Sequence, residues 1–310
     1  MVSHIPYMDM HLITFPQVMD EIDDDLPPDD DFAALPEDDD GPPHGHPAKK
    51  QKCSPYKNAK APMTEKLMKK CRPPLKPDEL KEEFGCRANM LLVEVFSPPR
   101  LQTHGITEHG MDHEKLLSID VMTGWDLSQP QVRKFLLLSL PVWTPRAIML
   151  SPPCTIFSRL QNLNKAKADA AFWACKQAEG LVFWKLSLQV AEHQLNTGGL
   201  FALEHPKSAT SWQLACTCKF LKKFEKQLFS INFDQCVLGL KSKVWQVPCQ
   251  KRTTIVTNCC ALSKALEGCL CDGSHEHQVL MGSEGGCSRA AWAAQYPPAL
   301  IAKLVESFMA

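Results

Sequence analysis

No apolar run in this 310-residue chain approaches the length needed to cross a bilayer, so a membrane-spanning protein is not expected. The first ten residues, MVSHIPYMDM, contain no basic segment followed by an apolar one, so a secretory leader is not expected either. No internal repeat is visible, which argues against a repeat architecture. Lys and Arg are absent from residues 1–48, which hold 13 acidic residues. The chain has 34 basic and 35 acidic residues in all, so the net charge of -1 hides an acidic tail on a body of +12. Such a body suits contact with a polyanion, with the tail as a competitor for the same surface; a tail that only improves solubility is the equal alternative.

What is present fits a globular protein. An apolar fraction of 44% can fill a core, and the length allows one large domain or two small ones. The 14 cysteines would suit a disulfide framework in a small secreted chain, but this chain is not small and shows no secretory leader. Reduced thiols are the default, leaving some free for catalysis or metal ligation.

Residues 1–48 read as a disordered acidic tail, with DEIDDDLPPDDDFAALPEDDD (20–40) at its centre. FAAL within it is a docking peptide or a chance cluster. Residues 49–85 read as a basic, Pro-containing linker. PAKKQK (47–52) there is a nuclear import signal or a solvated stretch; the first implies a nuclear protein, the second leaves the cytoplasm. The folded domain is expected from residue 86 to 310.

Within it the pattern alternates. NMLLVEVF (89–96), KLLSIDV (115–121), RAIMLS (146–151), GLFALEHP (199–206), FSINFDQCVLG (229–239) and RTTIVTN (252–258) read as strands. QPQVRKFLLLSL (129–140), residues 165–195, FLKKFEKQLF (220–229) and YPPALIAKLVESF (296–308) read as helices. Alternation of this kind predicts an α/β fold, a mostly parallel sheet with helices on both faces. Ligands of such sheets sit beyond the carboxyl ends of the strands. The polar punctuation falls there: Glu94, Phe96 and Ser97, then Asp120, then Ser151 to Cys154, then Glu204-His205-Pro206.

SPPCTIFS (151–158) holds Cys154 behind two prolines, a loop with few conformations that positions a nucleophile at little entropic cost. A thiolate is a strong nucleophile. With a carboxyl group beside it, a thiolate can add to C6 of cytosine while the acid pairs with N3. C5 then becomes nucleophilic enough to attack an electrophilic methyl group. A base inside a duplex would first have to be flipped out.

SPPCTIFS resembles the proline-cysteine motif of DNA cytosine-C5 methyltransferases. EVFS (94–97) is similar to their first motif, GWDL (124–127) to the next acidic element, EHP (204–206) to the motif of the catalytic glutamate, and QKR (250–252) to their Gln-x-Arg motif. The order agrees over about residues 86–258. The sequence also resembles divergent methyltransferase-like cassettes found near retroelements in some protists. The resemblance implies a Rossmann-like methyltransferase fold and methyl transfer from S-adenosylmethionine to C5 of cytosine in DNA, with RNA still open. It makes Cys154 the nucleophile and Glu204 its acid partner, with Gln250 and Arg252 orienting the base. Glu94, Phe96, Ser97, Arg100, Asp120, Asp126 and Pro152 would bind the cofactor. The alternative it leaves is an inert nucleic-acid-binding module derived from a mobile element.

Four departures stand out. The first motif reads FSPPR where the family has glycines, and proline gives no N–H donor. Thr254 stands at the expected final arginine, and His205 at the usual asparagine. The stretch after the last motif is short for a target-recognition domain, so target choice is expected to be weak or supplied by a recruiting protein.

TNCCALSKALEGCLCDGSHEH (257–277) offers Cys260, Cys269, Cys271, His275 and His277 as zinc ligands, Cys271, His275 and His277 being the tightest group. No C-x2-C knuckle accompanies them, so a polar or phosphate-contacting loop is the competing reading. Trp212 and Tyr296 read as packing residues; for Trp212, stacking on a base is the alternative.

Overall fold

The computed structural model describes residues 74–158 and 169–310. The acidic tail, FAAL, the basic cluster and most of the linker lie outside them. The fold begins upstream of residue 86. Pro77 opens helix α1 (Pro77–Phe84), whose Leu80 and Phe84 are buried. The Trp143 indole donates to the Phe84 carbonyl at 2.9 Å and fixes this helix to the body.

The remaining elements follow in order: β1 (Leu92–Val95), α2 (Arg100–His109), β2 (Leu116–Ile119), α3 (Pro130–Trp143), β3 (Ala147–Leu150), α4 (Ala170–Thr197), β4 (Leu200–Pro206), α5 (Ala215–Lys223), β5 (Phe229–Asp234), β6 (Arg252–Thr257), α6 (Cys260–Leu266), a small hairpin of β7 (Ser283–Glu284) and β8 (Cys287–Ser288), and α7 (Pro298–Met309). Some elements go beyond the sequence reading or end elsewhere. Helix α2 starts directly after Pro98-Pro99, in a stretch to which the sequence reading assigns no element; a proline tolerates the start of a helix, whose first N–H groups have no partner to lose. The amphipathic FLKKFEKQLF segment is α-helical only to Lys223, a 3-10 turn follows at Glu225–Gln227, and Phe229 already belongs to β5.

Six strands form one sheet in the order β2-β1-β3-β4-β6-β5. All run parallel except β6, which is antiparallel to β4 and β5. The central strands are buried on both faces, which explains their nearly continuous apolar sequences. Alternation divides their side chains. Val93, Val95, Ile148, Leu150, Phe201 and Leu203 pack with residues of α3, α4 and α5. Leu92, Ala147, Met149, Ala202 and Ile255 pack with residues of α2, α6 and α7. The chain is therefore an α/β protein with helices on both faces of a mostly parallel sheet.

The order reverses between β1 and β3: from β1 the chain builds outward to β2, and from β3 it builds the other way. A crevice forms beyond the carboxyl ends at such a point. Among the described residues, no helix is long and apolar enough to cross a membrane.

Candidate active site and metal cluster

Strand register aligns the site. Leu150 of β3 pairs with Leu203 of β4, so Ser151 and Glu204 each stand one residue further on. By the period-2 alternation their side chains point to the face of Met149 and Ala202, where α7 and the segment before it pack. Tyr296, from that segment, is buried between them. Ser151 Oγ donates to the Tyr296 hydroxyl (2.8 Å), which donates to Glu204 Oε2 (3.1 Å). Lys251 Nζ lies 3.4 Å from Glu204 Oε1. The Arg100 guanidinium and Lys251 ammonium stand 5.6 and 5.8 Å from the Tyr296 ring centre. Burial, and then the charge of Glu204, push the tyrosine pKa well up, so its hydroxyl stays a donor.

Cys154 caps a short turn, Thr155–Phe157, and is partly exposed. Burial, followed by the nearby Glu204 charge, raises its thiol pKa, while Lys251 pulls it down. The thiol and the carboxylate thus share one electrostatic neighbourhood, and Lys251 is the charge in it that favours the thiolate. Gly180 of α4 lets this turn approach closely. A Cβ there would fall 2.4 Å from Ile156 Cγ2.

His205 lies on the opposite face from Glu204, beneath the Pro-Pro-Cys loop. It is fully buried against Trp184 (ring centres 4.7 Å apart), Phe157 (5.7 Å) and Trp212 (6.1 Å). Burial and then the Lys251 charge lower its pKa to about 3, so the ring is neutral. Nδ1 is 2.7 Å from Ser211 Oγ. Nε2 faces the carbonyls of Pro152 and Pro153 without reaching normal hydrogen-bond geometry. His205 therefore sits as a support of the loop. Trp212 packs edge-on against Trp184 at 5.2 Å and donates to the Pro206 carbonyl at 3.0 Å, so it belongs to this support and not to a stacking platform.

The residues expected to bind a cofactor are dispersed in role. Glu94, fully buried, accepts from the Gln102 N–H (2.8 Å) and from Ser97 Oγ (3.1 Å), and so caps the start of α2. Burial raises its pKa to about 7, against the opposing hydrogen bonds from Gln102, Leu101, Ser97 and Arg100. Ser97 is buried and its carbonyl accepts from Ser118 Oγ at 2.6 Å. Phe96 has φ 60°, a left-handed conformation rare for a bulky residue, and its ring rests 5.2 Å from that of Phe183. Arg100 donates to the Ala294 carbonyl at 2.9 Å. Asp120 Oδ1 accepts from the Met122 N–H at 2.9 Å; burial raises its pKa, while that bond and the Arg100 charge oppose the rise. Asp126 is occupied locally, by the Ser128 N–H and hydroxyl and the Gln129 amide. Burial alone would raise its pKa, but these bonds, Ser128 first, outweigh it and leave it lowered. Pro152 is buried within the loop. An open groove of about 510 Å³ runs beside the loop, lined by Pro153, Ile156, Phe172, Trp173 and Phe183.

Two expected base-orienting residues do not meet Glu204. Arg252 is exposed and faces Asp234 across the β5–β6 pair, with Nε 3.8 Å from Oδ1. Gln250 lies half-buried just before β6. The residue between them, Lys251, is the one that reaches the carboxylate. Alternation carries the signal: Lys251 shares the parity of Thr253 and Ile255, and Arg252 that of Val256 on the other face.

The metal ligands also change in part. Cys271, His275 and His277 do come together, and the fourth member is Cys236, just past the end of β5. Their donor atoms lie within 4.8 Å of one another. Cys260 is exposed at the start of α6, and Cys269 Sγ points at the Ala265 carbonyl at 3.8 Å, so neither belongs to the cluster. Cys236 is remote in sequence, and only the fold brings it near.

No family model matches the chain, and no curated protein matches it.

Proposed function

We propose that this chain transfers a methyl group from S-adenosylmethionine to C5 of cytosine in DNA through a Cys154 adduct. The observation that carries the reading is the convergence of Cys154, Glu204 and Lys251 at the carboxyl ends of β3 and β4, with Tyr296 and Ser151 fixing the carboxylate. The strand order, with its antiparallel β6, supports a Rossmann-like methyltransferase fold.

The steps balance on these residues. Burial keeps the Cys154 thiol protonated at rest. As sulfur bonds to C6 of the base, the thiol proton leaves and N3 gains one, with Glu204 as the carrier. The C5–C6 electron pair moves to C5, which bonds to the incoming methyl group. Loss of the C5 proton to a base then expels the sulfur as thiolate, and the N3 proton returns through Glu204 to the sulfur, which restores the ring and the thiol. S-adenosylmethionine, when bound, would supply the methyl group as an electrophile. Lys251 holds Glu204 in place, and the groove beside the loop gives space for a flat ring.

The residues present fit the cofactor in part. Asp120 has one oxygen bonded to Met122 and is suited to a ribose diol. Glu94 and Asp126 have their oxygens engaged by the protein itself. Pro98 and Pro99 supply no N–H, and Glu94 already caps the start of α2. These last observations favour the second reading, a nucleic-acid-binding module without turnover. On either reading the Cys236 cluster is compatible with a structural metal site. The test is incubation with S-adenosylmethionine and DNA carrying 5-fluorocytosine, whose fluorine blocks the final elimination. A Cys154-dependent covalent adduct supports the enzyme; DNA binding without cofactor binding supports the inert module.

A further inference from the structure

We propose that Cys236, Cys271, His275 and His277 bind one zinc ion in a closed tetrahedral site, and that this ion secures the strand end carrying Lys251. The proposal of the ion is independent of the methyl-transfer reading.

The spacing of the donors argues for it. Cys271 Sγ lies 3.7 Å from His275 Nε2 and 3.4 Å from His277 Nε2. Zinc bonds of about 2.3 Å to sulfur and about 2.0 Å to nitrogen, at a tetrahedral angle, put such donors about 3.5 Å apart. Cys236 completes four donors within 4.8 Å. Two thiolates and two imidazoles select zinc over magnesium or calcium, which take oxygen ligands. Four protein ligands leave no open position, so the role is structural. Binding displaces two thiol protons, and the two thiolates neutralise the ion's charge.

The surroundings fit a ligating sulfur. The Gly273 N–H points at Cys271 Sγ at 3.4 Å, a contact that would share the negative charge of a thiolate. Gly273 has φ 78°, which a side chain would strain, and this turn brings the N–H round to the sulfur.

The link to Lys251 runs through backbone bonds. Asp234 Oδ2 accepts from the Cys271 N–H at 3.0 Å. The Gln278 N–H donates to the Pro248 carbonyl at 2.8 Å, and the Gln235 N–H to the Lys251 carbonyl at 3.1 Å. The metal loop thus grips the segment before β6 from two sides.

The experiment uses the full chain, expressed with added zinc and without an affinity tag of histidines. Elemental analysis is expected to find one zinc per chain, and Co²⁺ in its place is expected to give the intense visible bands and thiolate charge transfer of a tetrahedral site. Cys236→Ser and His277→Ala should lose the metal; Cys260→Ser and Cys269→Ser should keep it. Removing the metal should speed amide exchange at 249–252 by about tenfold or more. A metal-free full chain, a weak octahedral Co²⁺ spectrum, or zinc lost in Cys269→Ser and kept in Cys236→Ser would overturn the site. Unchanged exchange at 249–252 after metal removal would overturn its role toward Lys251.

Discussion

The Tyr296 hydroxyl donates to Glu204 Oε2 across 3.1 Å, joining the segment before the last helix to the end of the fourth strand. Ser151 donates to the same hydroxyl at 2.8 Å. Tyr296→Phe keeps the buried ring and removes both bonds. It should lower stability by about 1–3 kcal/mol, the cost of leaving buried polar groups without partners. Urea denaturation checks this; an unchanged midpoint would mean the hydroxyl holds nothing.

The thiol responds to both charges of the Glu204–Lys251 pair, in opposite directions. Glu204→Gln should lower the Cys154 pKa and speed its alkylation at neutral pH, by about two- to tenfold. Lys251→Met should slow it. Arg252→Met should leave it near the wild-type rate, because that side chain pairs with Asp234. Peptide mapping after timed alkylation reads Cys154 apart from the other thiols. Equal effects from Lys251 and Arg252 would refute the assignment.

How much of this was legible in the sequence depends on range. Short-range pattern was enough for β1 to β4 and for the stop of α4 at Gly198, since burial on both faces leaves continuous apolar runs. The convergence of Ser151, Cys154 and Glu204 followed from the carboxyl-end rule for parallel sheets. Tyr296 and Cys236 were not legible in their roles, because contacts between distant segments leave no local periodicity. Lys251 was legible in principle. The parity of the RTTIVT strand sets it on the Glu204 face, but motif order drew attention to Arg252 instead. Helix α2 was not legible, because the group that caps its start is Glu94, a residue of the preceding strand.

Glu94 should make stability fall as pH rises. Its folded pKa, about 7, lies above the ordinary 4.5 because of burial. Between those values the folded state holds more protons than the unfolded one, so the slope of stability with pH is negative. The contribution is complete below about pH 4.5, is lost as pH rises through about 7, and amounts to about 3 kcal/mol. Glu94→Gln should flatten this part of the profile. A wild-type curve that rises steadily over the same window, with the same slope in Glu94→Gln, would contradict it.

Gly180 should matter to the loop more than to its own helix. Alanine is ordinarily better than glycine in a helix by about 1 kcal/mol. Here the added Cβ would meet Ile156 at 2.4 Å and push the turn that carries Cys154. Gly180→Ala should therefore fold, with lower stability and altered Cys154 alkylation. A simple gain in stability with unchanged alkylation would show that the turn is not held by this contact.

The central claim is that Cys154 attacks a cytosine. Its most direct test is covalent capture on 5-fluorocytosine DNA with S-adenosylmethionine, run beside Cys154→Ala and Glu204→Gln. The account predicts a denaturation-resistant protein–DNA adduct for the natural chain, none for Cys154→Ala, and a strongly reduced yield for Glu204→Gln. Folded protein that binds the DNA and forms no adduct, or an adduct that survives in Cys154→Ala, would contradict it.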